Sequence, residues 1–377
     1  MSIQTSRMVI PSNLPIQNKL GKYWNNISNI IMGHHELRAR TGTFESPWGA
    51  PSCEFSKPPV LKHIDDHLFD VFDQRAVELN TIAKSQNKHI VIQWSGGIDS
   101  TAVVVAFIKN LSASDLANIS IALSTDSVLE NPDFYYKFIK NQLRCIPYVR
   151  LVINDEFFSN NILLHGDPAD CIFGPSVGMF APLIDSGMHR APFKDNISLI
   201  ASTIESNPRI NEMGVQGFGA WYTNKVTENL LQVAPDDVTT ISDWWWWHYF
   251  NLKWEFSITR PLFRNRPSPH NQSAISATNL DDLYTNCFYG SDKFQLWSYS
   301  NLDNHISGDV STHKLLPKQY IYQLHQDDTY LSLKKKIESV PTTTVMTSTD
   351  MIGYFDHEWR HCGFDKNIVD LLESYTG

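Results

Sequence analysis

The chain lacks the paired cysteines of a disulfide framework or a zinc module. Its five cysteines, Cys53, Cys145, Cys171, Cys287 and Cys362, are odd in number, widely scattered and never spaced Cys-x-x-Cys. Free thiols in a reducing cytoplasm follow as the expectation. No apolar run approaches the roughly 18 residues of a membrane span. The N-terminal stretch has no continuous apolar segment of the kind a signal peptide needs. Positive charge is also short: the formal net charge of -9 over 377 residues argues against a surface built for nonspecific nucleic-acid binding. Neither a repeat nor a low-complexity tract appears, apart from a run of four tryptophans.

Among phosphate-binding signatures, Gly-x-x-x-x-Gly-Lys-Ser/Thr and Gly-x-Gly-x-x-Gly are both missing. What the chain has instead is His89–Asn110, HIVIQWSGGIDSTAVVVAFIKN. An apolar run of strand length, His89–Trp94, turns through Ser95-Gly96-Gly97-Ile98-Asp99-Ser100 into a second apolar run that starts as a helix. Paired glycines let the backbone turn tightly and approach a ligand. Amides at the start of a helix attract an anion, and Ser95 and Ser100 add hydroxyls. Asp99 beside an anion makes sense with a divalent cation between them. The combination points to a nucleotide polyphosphate with magnesium.

Residues 118–124 read as a second strand and 148–153 as a third, with helical spacing between them. Helical spacing over 61–83 leads into the first strand. This order predicts an α/β fold, doubly wound on a mostly parallel sheet, with a largely helical C-terminal part. Ligands of such sheets bind at the carboxyl ends of the strands, which makes Leu123 an adenine contact candidate. Three regions are expected: 1–87, an N-terminal extension with a helix near 18–31; 88–200, the nucleotide-binding core; and 201–377, a helical substrate or cap region.

The SGGIDS loop after a strand resembles the PP-loop of the N-type ATP pyrophosphatases (the adenine nucleotide alpha hydrolase-like fold), which split ATP between its α and β phosphates. A second stretch, Asn161–Gly174, resembles the S-G-E-G-x-D-E-x-F-G-G motif of asparagine synthetases at Gly166, Asp170, Phe173 and Gly174, with Asp167 in place of Glu. His165, Pro168, Cys171 and Pro175 depart from that pattern. The resemblance implies that Ser95, Gly96, Gly97, Asp99, Ser100 and Gly166 bind ATP and pyrophosphate. It also implies that Asp99 and Asp170 hold Mg2+, and that Asp167 is the acid/base or substrate-orienting group. Trp254–Phe263, with Glu255 and Arg260-Pro261, resembles a third family element. Lys318, with Lys314 second to it, resembles the lysine that supplies charge as pyrophosphate leaves. Ser2 stands where an N-terminal glutaminase would carry its cysteine nucleophile.

The implied activity is AMP-forming amide ligation. A substrate carboxylate is adenylated by ATP, then attacked by free ammonia from a separate source, by a second substrate's amine, or by an amine of the same molecule. The alternatives are a PP-loop enzyme that modifies a nucleobase or nucleotide, and a noncatalytic nucleotide-binding descendant. His357-Glu358-Trp359-Arg360-His361 matches the zinc-protease pattern H-E-x-x-H, but too little chain follows for a usual third ligand. Lys334-Lys335-Lys336 reads as a solvated face, and His34-His35 has no spacing that identifies a site. Four adjacent tryptophans, Trp244–Trp247, cannot all face one core from a single helix side. Some are expected in the core and others against another segment, a flat ligand or a second copy in a homo-oligomer.

Overall fold

The computed structural model describes residues 39–41, 57–148, 151, 153–174, 180–207, 220, 223–224, 227, 231–264 and 277–334. Four strands run along the chain: β1 (His89–Gln93), β2 (Ile119–Leu123), β3 (Arg144–Pro147) and β4 (Asn161–His165). The helices that shape the sites are α1 (Leu68–Ser85), α2 (Ile98–Asn110), α3 (Thr125–Glu130), α4 (Ala169–Ile172), α5 (Ile241–Leu252), α6 (Trp254–Arg264), α7 (Asp292–Ser300), α8 (Leu315–His325) and α9 (Asp328–Leu333). No helix among the described residues is long and apolar enough to cross a membrane.

The chain forms two compact units, each assembled from separated segments. One takes Asp66–Asp167, Arg260–Ser291 and Leu315–Gly377; the other takes Met1–Asp65, Pro168–Thr259 and Asp292–Lys314. The chain therefore leaves and re-enters each unit.

The first unit holds the sheet, all parallel, in the order β3-β2-β1-β4. β1 and β2 sit at its centre with almost every residue buried, which is why both are mostly apolar. β3 falls a few residues before its expected position. Residues 144–147 make the pairing, Ser120 opposite Arg144 through Leu123 opposite Pro147. Pro147 can donate no ladder hydrogen bond, which suits an edge strand. β4, in a stretch the sequence pattern does not mark as a strand, places its Ile162-Leu163-Leu164 core beside β1. α1 and α8 pack along α2, and the aromatic rings of Phe72 and Tyr320 stack 4.4 Å apart.

The second unit is built around the tryptophan helix α5. Thr240 caps it in a reciprocal box with Asp243. Every residue of α5 but Ser242 is buried. All four tryptophans are enclosed, Trp246 fully and Trp245 at 4% exposure, so α5 is buried on all sides. Trp246 Nε1 donates to Ser298 Oγ at 2.8 Å, and Trp244 Nε1 donates to Thr227 Oγ1 at 3.2 Å. The expectation of tryptophans left to meet a ligand or a second copy has no exposed ring to act through. His248 stacks on Trp244 and Trp245, and burial pushes its imidazole down to about 3. The same cause brings His305, against Trp246, to about 3.

Candidate active site

The glycine loop stands at the carboxyl edge of the sheet, between the end of β1 and the start of α2. Gly96 takes φ +78, a left-handed conformation that favours glycine. A Cβ there would also lie 2.2 Å from the Ser127 carbonyl and 2.6 Å from Glu130 Cβ, so the loop is wedged against α3. Gly97 is the N-cap of α2 and brings no side-chain acceptor to the helix start. The hydroxyls of Ser95 and Ser100 lie 3.0 Å apart, and Ser100 Oγ accepts from the Ser95 amide at 3.0 Å. These bonds brace the loop in one shape.

Gly166, directly after β4, backs onto this helix start. A Cβ on it would sit 2.7 Å from the Ser100 amide nitrogen and 3.0 Å from Asp99 Cβ. Tyr289, fully buried, donates its hydroxyl to the Asp99 carbonyl at 2.7 Å. Burial and the nearby Asp99 raise the Tyr289 phenol well above its ordinary value. Nothing in the local sequence marks Tyr289; only the fold brings it under the loop.

Asp167 receives a 2.7 Å hydrogen bond from Arg260, and His165 Nδ1 lies 3.5 Å from its other oxygen. A guanidinium fixes a carboxylate's direction as well as its charge, so Asp167 is held oriented at the end of β4. Lys318 is buried on α8, and desolvation lowers its ammonium below the ordinary value. Leu123 is buried at the end of β2. Just beyond it Ser124 and Ser127 form a capping box for α3, and burial pushes the Asp126 carboxyl up. Lys334 is not on a solvated face: it ion-pairs with Glu130 and donates to that residue's carbonyl at 2.9 Å. Lys335 and Lys336 lie outside the described residues, as do His34-His35 and His357–His361.

The carboxyl edge also collects buried polar atoms without a protein partner. Gln93 Nε2, Thr125 Oγ1, Asn131 Nδ2 and His165 Nε2 are of this kind, and His165 Nδ1 has only the long contact with Asp167. Gln93 and His165 are register neighbours at the ends of β1 and β4. Unpaired buried polar groups cost free energy and are uncommon away from functional sites.

The second motif is divided after Asp167. Asp170, Cys171, Phe173 and Gly174 belong to the other unit, where the Asp170 carboxylate carries a lysine on each oxygen. Lys253 Nζ lies 2.8 Å from Oδ2 and Lys314 Nζ 2.7 Å from Oδ1. Cys171, buried beside Asp170, has its thiol pushed up to about 12, mainly by desolvation. It is a packing residue rather than a nucleophile. The three described cysteines, Cys145, Cys171 and Cys287, are unpaired. No family model matches the chain, and no curated protein and no solved structure matches it.

Proposed function

We propose that the chain is an ATP-dependent, AMP-forming ligase that makes a carbon–nitrogen amide bond. The observation that carries this reading is the SGGIDS loop at the carboxyl edge of a parallel sheet. It opens an uncapped helix and is backed by Gly166, which leaves no room for a side chain. Asp99, Ser95 and Ser100 offer hard oxygen donors, the kind Mg2+ takes. When bound, that ion neutralises phosphate charge, and Asp99 would hold it.

In the proposed reaction the loop amides and hydroxyls of 95–100 bind the polyphosphate of ATP. The substrate carboxylate oxygen attacks the α phosphorus, and pyrophosphate departs with the bridging oxygen. The amine then attacks the acyl carbon, AMP leaves, and the amine proton goes to a base. Lys318 supplies positive charge to departing pyrophosphate. Asp167, oriented by Arg260, positions or deprotonates the nucleophile.

One observation favours a second reading, nucleotide binding without catalysis: both oxygens of Asp170 are taken by lysines. The readings separate on incubation with Mg-ATP and a pool of amino acids and amines. AMP and pyrophosphate support the ligase; tight ATP binding without turnover supports the binding protein.

A further inference from the structure

Away from the glycine loop, but in the same unit, Asp133, His325 and Asp327 bring one ligand atom each within 4.8 Å of one another. His325 ends α8 and is 6% exposed, yet neither ring nitrogen has a hydrogen-bond partner. Its ring is walled by Phe134, Phe138 and Tyr330, with centroids 5.6 to 5.7 Å away. The open direction is toward carboxylate: Nε2 lies 3.9 Å from Asp327 Oδ2. That distance is too long for a hydrogen bond. Asp327 uses its other oxygen to cap α9, accepting from the Tyr330 amide at 2.9 Å. Between the two, Gln326 takes φ +51, an uncommon conformation for this residue type that puts both side chains on one side of the turn. Asp133 and Asp327 keep 33% and 23% of their side chains exposed, which leaves a water-facing side.

We infer that Asp133, His325 and Asp327 form a divalent transition-metal site of the zinc type. One imidazole nitrogen and two carboxylate oxygens suit Zn2+ with water completing the shell. Two carboxylates balance the ion's charge. A neutral imidazole has the lone pair a metal requires. Zinc bonds of about 2.0–2.2 Å draw the ligand atoms closer than they stand without metal. Asp133 stands 3.8 Å from Lys137 and keeps a third of its side chain exposed. The ion would fasten the turn after Asn131 to the α8–α9 junction.

The test uses the full chain with His357→Gln and His361→Gln, so that the C-terminal histidines cannot hold the ion. After chelator treatment, Zn2+ is titrated calorimetrically without ATP, and Co2+ is followed by its visible absorption. One equivalent of Zn2+ should bind, and Tm should rise with it. Asp133→Asn and His325→Ala should each weaken binding at least about 100-fold, the upper end of the loss from removing even an outer partner. Asp133 is partly exposed, so Asp133→Asn keeps the test sound if His325→Ala does not fold. Absence of stoichiometric binding, or unchanged binding in folded Asp133→Asn, overturns the assignment.

Discussion

Gly166 and Ser100 approach so closely that a methyl group on the glycine would stand 2.7 Å from the serine's backbone nitrogen. The end of β4 and the start of α2 thus fit together only while residue 166 has no side chain. Gly166→Ala should destabilise the fold by about 1–3 kcal/mol, the range for overpacking, and should weaken ATP binding at least tenfold by displacing the loop. Gly187→Ala is the control. Its φ of +74 carries the strain of an L side chain, but its Cβ meets nothing within 4 Å. It should cost about 1 kcal/mol and leave ATP binding unchanged. Urea unfolding and ATP titration of both variants measure the difference.

Asp170 sits between two buried lysines, and removing its charge should cost more than removing either partner. Asp170→Asn leaves both ammonium groups without this carboxylate, and a loss of about 3–5 kcal/mol is expected for breaking a buried pair. Lys253→Met leaves Lys314 in place and should cost less. Equal stability of Asp170→Asn and the wild type would show that the triad carries no structural weight.

Lys318 should separate stability from activity. Burial disfavours its charge and offsets what its contacts contribute, so Lys318→Met should change the unfolding midpoint far less than it changes turnover. Turnover should fall by about 10²–10³, as for loss of one charge-stabilising group. A loss of stability with full turnover would remove Lys318 from the site.

His248 and His305 make the second unit acid-sensitive. Their imidazoles are held near 3 in the folded chain against 6.5 in the unfolded one. Between those values the unfolded state binds more protons, so stability rises with pH and is lost as pH falls below about 6.5. At pH 5 each histidine should contribute a loss on the order of 2 kcal/mol. His248→Phe keeps an aromatic ring and removes one titration. Its stability should drop less than that of the wild type between pH 7 and pH 5; equal drops would contradict the burial account.

The central strands and the glycine loop were legible in the sequence because their patterns are local. β1 and β2 are short, mostly apolar segments, and Gly96-Gly97 marks its own turn. β3 was misplaced because 148–153 is the more apolar segment, whereas pairing with Ser120–Leu123 selects 144–147. The tryptophan helix looked too hydrophobic for one core because a single helix cannot report that neighbours enclose it on all sides. Tyr289 under Asp99, Arg260 on Asp167 and Lys334 on Glu130 are pairs far apart in the chain, set by tertiary packing alone. The Asp133–His325–Asp327 group was invisible for the same reason: 192 positions separate Asp133 from His325 (325 − 133).

The proposed activity turns on which bond of ATP is broken. The chain and its Asp99→Ala variant should be incubated with Mg-ATP and a pool of carboxylate and amine substrates, and the nucleotide products separated. We expect AMP and pyrophosphate from the wild type and neither from Asp99→Ala. ADP and phosphate from the wild type, or full AMP formation by Asp99→Ala, would contradict the assignment of the SGGIDS loop as an α,β-cleaving ATP site.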